Sequence, residues 1–133
     1  MGFTHVIPQL TKKILMHNKK KIIIDNSKHK RTFCNIDFAI ELILNISHKK
    51  TLTKKTFNIG SPEKEITIME LAKKIKKILN SKNQLIASNL QKDNSPEKRR
   101  PDMKRSLGYS KINHNFEKGL KDTVLWYKEH YRK

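Results

Sequence analysis

The chain holds four glycines, at positions 2, 60, 108 and 119, and no two of them lie close together. A dinucleotide-binding turn needs clustered glycines, because its backbone must approach a pyrophosphate with no Cβ in the way. A P-loop needs two glycines at fixed spacing ahead of a Lys-Ser/Thr pair. Neither pattern occurs here, so these 133 residues encode no such phosphate cradle. The length and a hydrophobic content of 35% fit a single domain over residues 1–133. A chain of this size buries roughly two-thirds of its unfolded surface. It has no room for a cofactor domain beside a substrate domain, each of which would need about 100 residues.

A net charge of +18 ordinarily points to a polyanionic partner. Lysine supplies most of that charge, however, and the Lys-Lys pairs at 12–13, 49–50, 54–55, 73–74 and 76–77 are spread along the chain. Dispersed lysines read as solvated faces. Cys34 is the single cysteine, so no internal disulfide can form and a reducing, cytoplasmic setting is expected. In the run Phe33-Cys34-Asn35-Ile36, it reads as a small buried residue. Lys12 and Lys13 interrupt the apolar positions near the start, leaving no signal-peptide core. The longest apolar runs fall well short of the roughly 20 residues of a membrane span.

The strongest local signal lies at 68–79. Thr67 and Glu70 make a T-x-x-E capping box, and Ile68, Leu71, Ala72, Ile75, Ile78 and Leu79 follow helical spacing with Lys73, Lys74, Lys76 and Lys77 opposite. Val6, Leu10, Ile14 and Leu15 predict a short amphipathic helix over 6–16, with Pro8 in its first turn. Lys21 to Asp25 is a β-branched strand, and Arg31 to Ile36 a second short extended segment. Residues 37–46, capped by Asp37, predict a helix buried over a wide face. Thr56 to Gly60 and Gln84 to Ser88 read as further strands, and 91–101 as a proline-bounded loop. One or two helical turns follow Asp102, closed by Gly108 as a left-handed cap. Asn115 caps a last helix in which Phe116, Leu120, Thr123, Val124, Tyr127 and Tyr131 share a face. The fold class is α/β: a small mixed lobe of short strands and about four helices, without a complete doubly wound sheet.

Candidate chemistry is sparse. Histidines at 5, 17, 29, 48, 114 and 130 show no zinc-type spacing and read as surface residues. No nucleophile elbow occurs. A Tyr-x-x-x-Lys pair is also missing: Asn113 stands four residues after Tyr109, and Tyr131 four after Tyr127. The informative residues are arginines in a lysine-rich background. Arg31, Arg99 and Arg100 fall in strand or loop contexts, where a guanidinium fork can hold phosphate oxygens in a fixed plane.

Several segments in order resemble the C-terminal part of the NAD-dependent epimerase/dehydratase family, the extended short-chain dehydrogenase/reductases that act on sugar nucleotides. They are His5-Val6-Ile7-Pro8, Arg31-Thr32-Phe33-Cys34, Phe57-Asn58-Ile59-Gly60, Glu65-Ile66-Thr67-Ile68, Arg99-Arg100-Pro101-Asp102, Leu107-Gly108-Tyr109 and Glu117-Lys118-Gly119-Leu120. The resemblance implies a substrate-binding lobe for a nucleotide diphosphate sugar. Val6 would lie against the base, Ile24 would border the nucleotide pocket, and Arg31 with Arg99 or Arg100 would contact the diphosphate. In that family NAD and the catalytic Tyr and Lys belong to an N-terminal domain, so this chain alone would hold no cofactor and would turn over no substrate. A separate NAD-binding chain or a homo-oligomer would be its partner. The chain departs from the family pattern at Phe38, where a second acid is usual, and at Ser27, where a turn glycine is usual. It is also shorter between Asp102 and Leu107. Two other readings stay open at this point: a small basic nucleic-acid-binding protein and a folded, inactive remnant.

Overall fold

The computed structural model describes residues 4–17, 20–52, 54–88, 96–111 and 113–131. In chain order the elements are α1 (Val6–Met16), β1 (Lys21–Ile24), β2 (Lys30–Arg31), α2 (Ile36–Ser47), a 3-10 turn (Lys50–Leu52), β3 (Ile66–Thr67), α3 (Ile68–Ile78), β4 (Gln84–Ala87), β5 (Lys98–Arg99), α4 (Lys104–Leu107) and α5 (Phe116–His130). The mixed α/β class holds, with five α-helices where about four were expected. Residues 91–95 of the expected polar loop lie outside the described residues.

The core gathers α1, α3 and α5 over β1. Leu10, Ile14, Ile22, Ile24, Leu71, Ile75, Leu120 and Val124 form its centre. α3 takes part because its apolar residues fall on one side, where Leu71, Ala72 and Ile75 have no exposure. Its start is fixed locally: Thr67 Oγ1 accepts the Glu70 amide at 3.1 Å and the Glu70 carboxylate accepts the Thr67 amide at 2.7 Å. Its end is a Schellman closure on Asn80 (φ 50°), with the Ser81 amide on the Lys76 carbonyl and the Asn80 amide on the Lys77 carbonyl. Pro8 is the third residue of α1, where a missing N–H costs no helical bond. Buried Asn83 ties α1 to the strands, donating to the Ile14 carbonyl at 2.8 Å and accepting the Lys20 amide at 3.2 Å.

Two small sheets flank this core. β1 and β4 pair in parallel with Ile22 opposite Leu85. The second sheet has the order β3-β2-β5, antiparallel on the β3 side and parallel on the β5 side. A separate cluster of Phe38, Leu42 and Met103, with Ile46 and Tyr109 against it, joins α2 to α4.

Several sequence expectations change; residues 98–99 of the expected loop, for one, form β5. The cap of α2 is Asn35, whose side chain accepts the Asp37 amide at 2.8 Å; Asp37 lies inside the helix. α2 is not buried over a wide face: only Phe38 and Leu42 are buried. The strand expected at 56–60 does not form, because no described segment pairs with it in a backbone ladder. Gly108 closes α4 in right-handed helical geometry, φ −65° and ψ −7°, because α4 is a single turn with no left-handed exit.

Candidate functional site

Two of the three singled-out arginines meet in the second sheet. β2 and β5 run parallel with Arg31 opposite Arg99. Residues in register share a face, and neighbouring strands lie about 4.8 Å apart, so the two guanidinium stems rise side by side. Arg31 is half-buried, and its Nη1 donates to the carbonyls of Lys30 at 2.8 Å and Glu97 at 3.2 Å. Those bonds hold one edge of the fork to the backbone. Arg99 is exposed, with no side-chain partner among the described residues. Arg100, one residue on, alternates to the other face and donates Nη2 to the Pro62 carbonyl at 3.3 Å.

The Arg99–Asp102 segment is fastened to the segment ending at Gly60. Asn58 Nδ2 donates to the Asp102 carbonyl at 2.9 Å, and Ser106 Oγ donates to the Asn58 carbonyl at 2.5 Å. At Gly60 a Cβ would stand 2.5 Å from Pro101 Cγ, so the two backbones approach only because residue 60 has no side chain.

A cavity of about 500 Å³ opens directly after Arg31, walled by residues 32–36, the start of α1 and the inner side of α5. Val6, Phe33, Phe116 and Leu120 make it chiefly apolar, and Phe33 and Phe116 stack at 5.7 Å. Cys34 also lines it. The thiol is exposed rather than buried as expected, yet partial desolvation raises its pKa and keeps it protonated at neutral pH. Gly119 faces Asn35 so closely that a Cβ there would stand 2.7 Å from Asn35 Nδ2.

Beneath this wall sits a histidine that the sequence reading had placed on the surface. The His114 side chain is 1% exposed, accepts the Asn35 amide on Nε2 at 3.0 Å and meets Glu63 through Nδ1 at 2.6 Å. The Asn35 bond leaves Nδ1 to carry the proton, so His114 donates to the carboxylate. Glu63 also accepts the Phe116 amide at 3.2 Å. The pair thus joins the starts of α2 and α5 at the cavity wall. His29 is likewise buried, at 5% exposure. No spacing pattern marked His114, since its partners Asn35 and Glu63 are distant in sequence.

Of the five residues singled out for substrate, Val6 lines the cavity and Arg31 and Arg99 stand together beside it. Ile24 is 1% exposed within the core and is not part of the cavity wall. Arg100 faces away on the Pro62 carbonyl. Among the described residues no group of His, Cys, Asp and Glu could hold a metal ion, and no helix is long and apolar enough to cross a membrane.

No protein-family model matches the chain. It is 43% identical over 63 residues to the bifunctional polymyxin resistance protein ArnA of Wigglesworthia glossinidia brevipalpis, a match covering 46% of this chain and 10% of that protein. The UDP-glucuronic acid 4-epimerase of Bacillus cereus, solved with UDP-glucuronic acid and NAD, superposes with a TM-score of 0.77 at 19% identity. That match covers 97% of this chain and 41% of the epimerase. The chain has the fold of that part of the epimerase. The dTDP-glucose 4,6-dehydratase of Bacillus anthracis, solved with NAD, gives a TM-score of 0.73 at 20% identity over 98% of this chain and 41% of that one. The UDP-glucose 4-epimerase of Thermotoga maritima, solved with UDP-glucose, gives 0.71 at 22% over 98% and 41%. These neighbours are NAD-dependent epimerases and dehydratases, in agreement with the family resemblance of the sequence segments. The chain spans 41% of the length of each and a tenth of the ArnA protein.

Proposed function

We propose that this chain is the nucleotide-sugar-binding lobe of an NAD-dependent sugar-nucleotide epimerase, dehydratase or decarboxylase, incomplete as a catalyst by itself and working in the cytoplasm. The observation that carries the reading is the register of Arg31 against Arg99. Two guanidinium groups on adjacent strands, one tied to backbone carbonyls and one with no side-chain partner among the described residues, suit the two phosphates of a nucleoside diphosphate. The apolar cavity that begins at Thr32 and is lined by Val6 is a suitable neighbour for a base or sugar ring. UDP-glucuronic acid, bound by the Bacillus cereus neighbour, is the natural first probe. The missing glycine turn and Tyr-x-x-x-Lys pair support the absence of both cofactor binding and turnover in the isolated chain.

The test is calorimetric titration of UDP-glucuronic acid, UDP and NAD into the purified chain, with thermal unfolding as a second readout. Expected is binding of the two uridine compounds and none of NAD. Arg99→Ala should weaken UDP by about tenfold to a hundredfold, the worth of a charged hydrogen bond, while Arg100→Ala should leave it unchanged. Equal losses in the two variants, or no uridine binding, would overturn the reading. A response to a short DNA duplex alone, abolished by salt, would assign the lysines to a polyanion instead.

A further inference from the structure

The turn at residues 60–63 touches both sides of the candidate site. On one side it meets the arginine segment: Gly60 lies against the Pro101 ring, and the Pro62 carbonyl accepts Arg100 Nη2. On the other it presents Glu63, whose Oε1 accepts both the His114 imidazole and the Phe116 amide. The turn itself is set locally, because the hydroxyl of buried Ser61 accepts the Glu63 amide at 3.2 Å.

From Glu63 the contacts reach the cavity wall by two routes. Phe116 stacks on Phe33, and both rings line the cavity. His114 accepts the Asn35 amide, and Asn35 is where the wall turns into α2: its side chain caps that helix on the Asp37 amide and lies against Gly119 of α5. The imidazole is enclosed, with the Phe38 ring edge-on at 5.2 Å. Bonded through both nitrogens, it is held in one orientation and passes that orientation on to the Asn35 backbone. The 60–63 turn and His114 therefore tie the segment that carries Arg99 to the wall that follows Arg31.

We infer that His114 and Glu63 are positioning residues for the nucleotide sugar: they hold the wall at residues 32–36 at a set distance from the arginine pair, so that one ligand places its diphosphate on the arginines and a ring in the cavity at once. This rests on the nucleotide-sugar-lobe reading. The two residues act through Asn35 and Phe116 rather than on the ligand. A ligand that spans two subsites gains from both only where their spacing is fixed beforehand, and a ligand confined to one subsite gains nothing from that spacing. The pair should therefore matter to a spanning ligand and not to a short one.

The experiment titrates UDP-glucuronic acid and pyrophosphate into the full chain and its variants by calorimetry. His114→Phe keeps a ring and removes both nitrogens; it should weaken UDP-glucuronic acid by about tenfold, the worth of the hydrogen bonds lost, and leave pyrophosphate binding as it was. His114→Gln can set an amide oxygen where Nε2 stands, and Glu63→Gln keeps an oxygen in place of Oε1, so each should recover most of the affinity that His114→Phe and Glu63→Ala lose. Hydrogen exchange at the Asn35 amide should be slow in the unaltered chain and faster in His114→Phe. Thermal unfolding reports whether each variant folds; should His114→Phe not fold, Glu63→Ala, at a carboxylate 42% exposed, carries the same comparison. Equal losses for the two probes, unchanged UDP-glucuronic acid affinity, unchanged Asn35 exchange or no recovery in the glutamine variants overturns the inference. If the unaltered chain binds pyrophosphate alone, or neither probe, the nucleotide-sugar reading itself falls and takes the inference with it.

Discussion

α3 and α2 are helices of nearly equal length, 11 and 12 residues, yet they divide their side chains in opposite ways. α3 sends Ile68, Leu71, Ala72 and Ile75 inward and its lysines outward, with Lys74 ion-paired to Glu117 on α5. α2 buries two residues and leaves four large aliphatics exposed. The α1–α3–α5 half therefore completes its own core, while the α2–α4 half completes only part of one. The difference teaches that one chain can hold a core closed around three helices beside a smaller cluster that leaves one helix side bare.

The comparison breaks most readily at the core. Leu71→Ala should cost about 2–5 kcal/mol by urea unfolding, as expected for a fully buried leucine. Ile43→Ala, of similar size on the outer side of α2, should change the free chain by no more than about 0.5 kcal/mol. Comparable losses at the two sites would show that α2 is buried in the free protein and would erase the distinction.

Gly60→Ala should cost about 1–3 kcal/mol, because its Cβ would meet the rigid Pro101 ring. Since Pro101 follows the arginine segment, UDP binding should weaken with it. A variant with unchanged stability and affinity would separate the 58–60 segment from the site. Thr67→Ala should cost about 1 kcal/mol, the usual worth of an N-cap, and should do so equally with or without ligand, because α3 belongs to the finished half.

The smallest effect is with pH. Hydrogen bonds from the Thr67 amide and hydroxyl hold the Glu70 carboxyl below its ordinary value, with help from Lys30 and Lys73. A depressed folded-state value adds stability above the unfolded carboxylate pKa of about 4.3 and loses it as pH falls through the folded value. Glu70 is exposed, so the slope is shallow. In acid unfolding series below about pH 5, Glu70→Gln should flatten that slope, and an unaltered slope would show that the cap bond does not hold the charge.

What could be read from the sequence follows the range of the interactions concerned. The α3 cap and the buried side of α5 were legible, because a capping box spans four residues and an apolar stripe repeats every turn. The cap of α2 was misread by two positions: Asn35 and Asp37 are both good caps, and only the backbone turn at Asn35 selects between them. The 56–60 segment has strand composition, but a strand also needs a partner in a backbone ladder. His114 gave no signal, because Asn35, Glu63 and Phe38 reach it only after folding.

By itself, then, the sequence determined the elements whose causes are local: the capped helices, the lack of a glycine-rich phosphate turn and the supply of arginines in extended segments. The tertiary structure alone decided that Arg31 faces Arg99 while Arg100 turns to Pro62, that Ile24 is sealed in the core, and that α2 keeps a bare side. Propensity and capping act over one or two turns of chain. Register, burial and exposure depend on which distant segments meet.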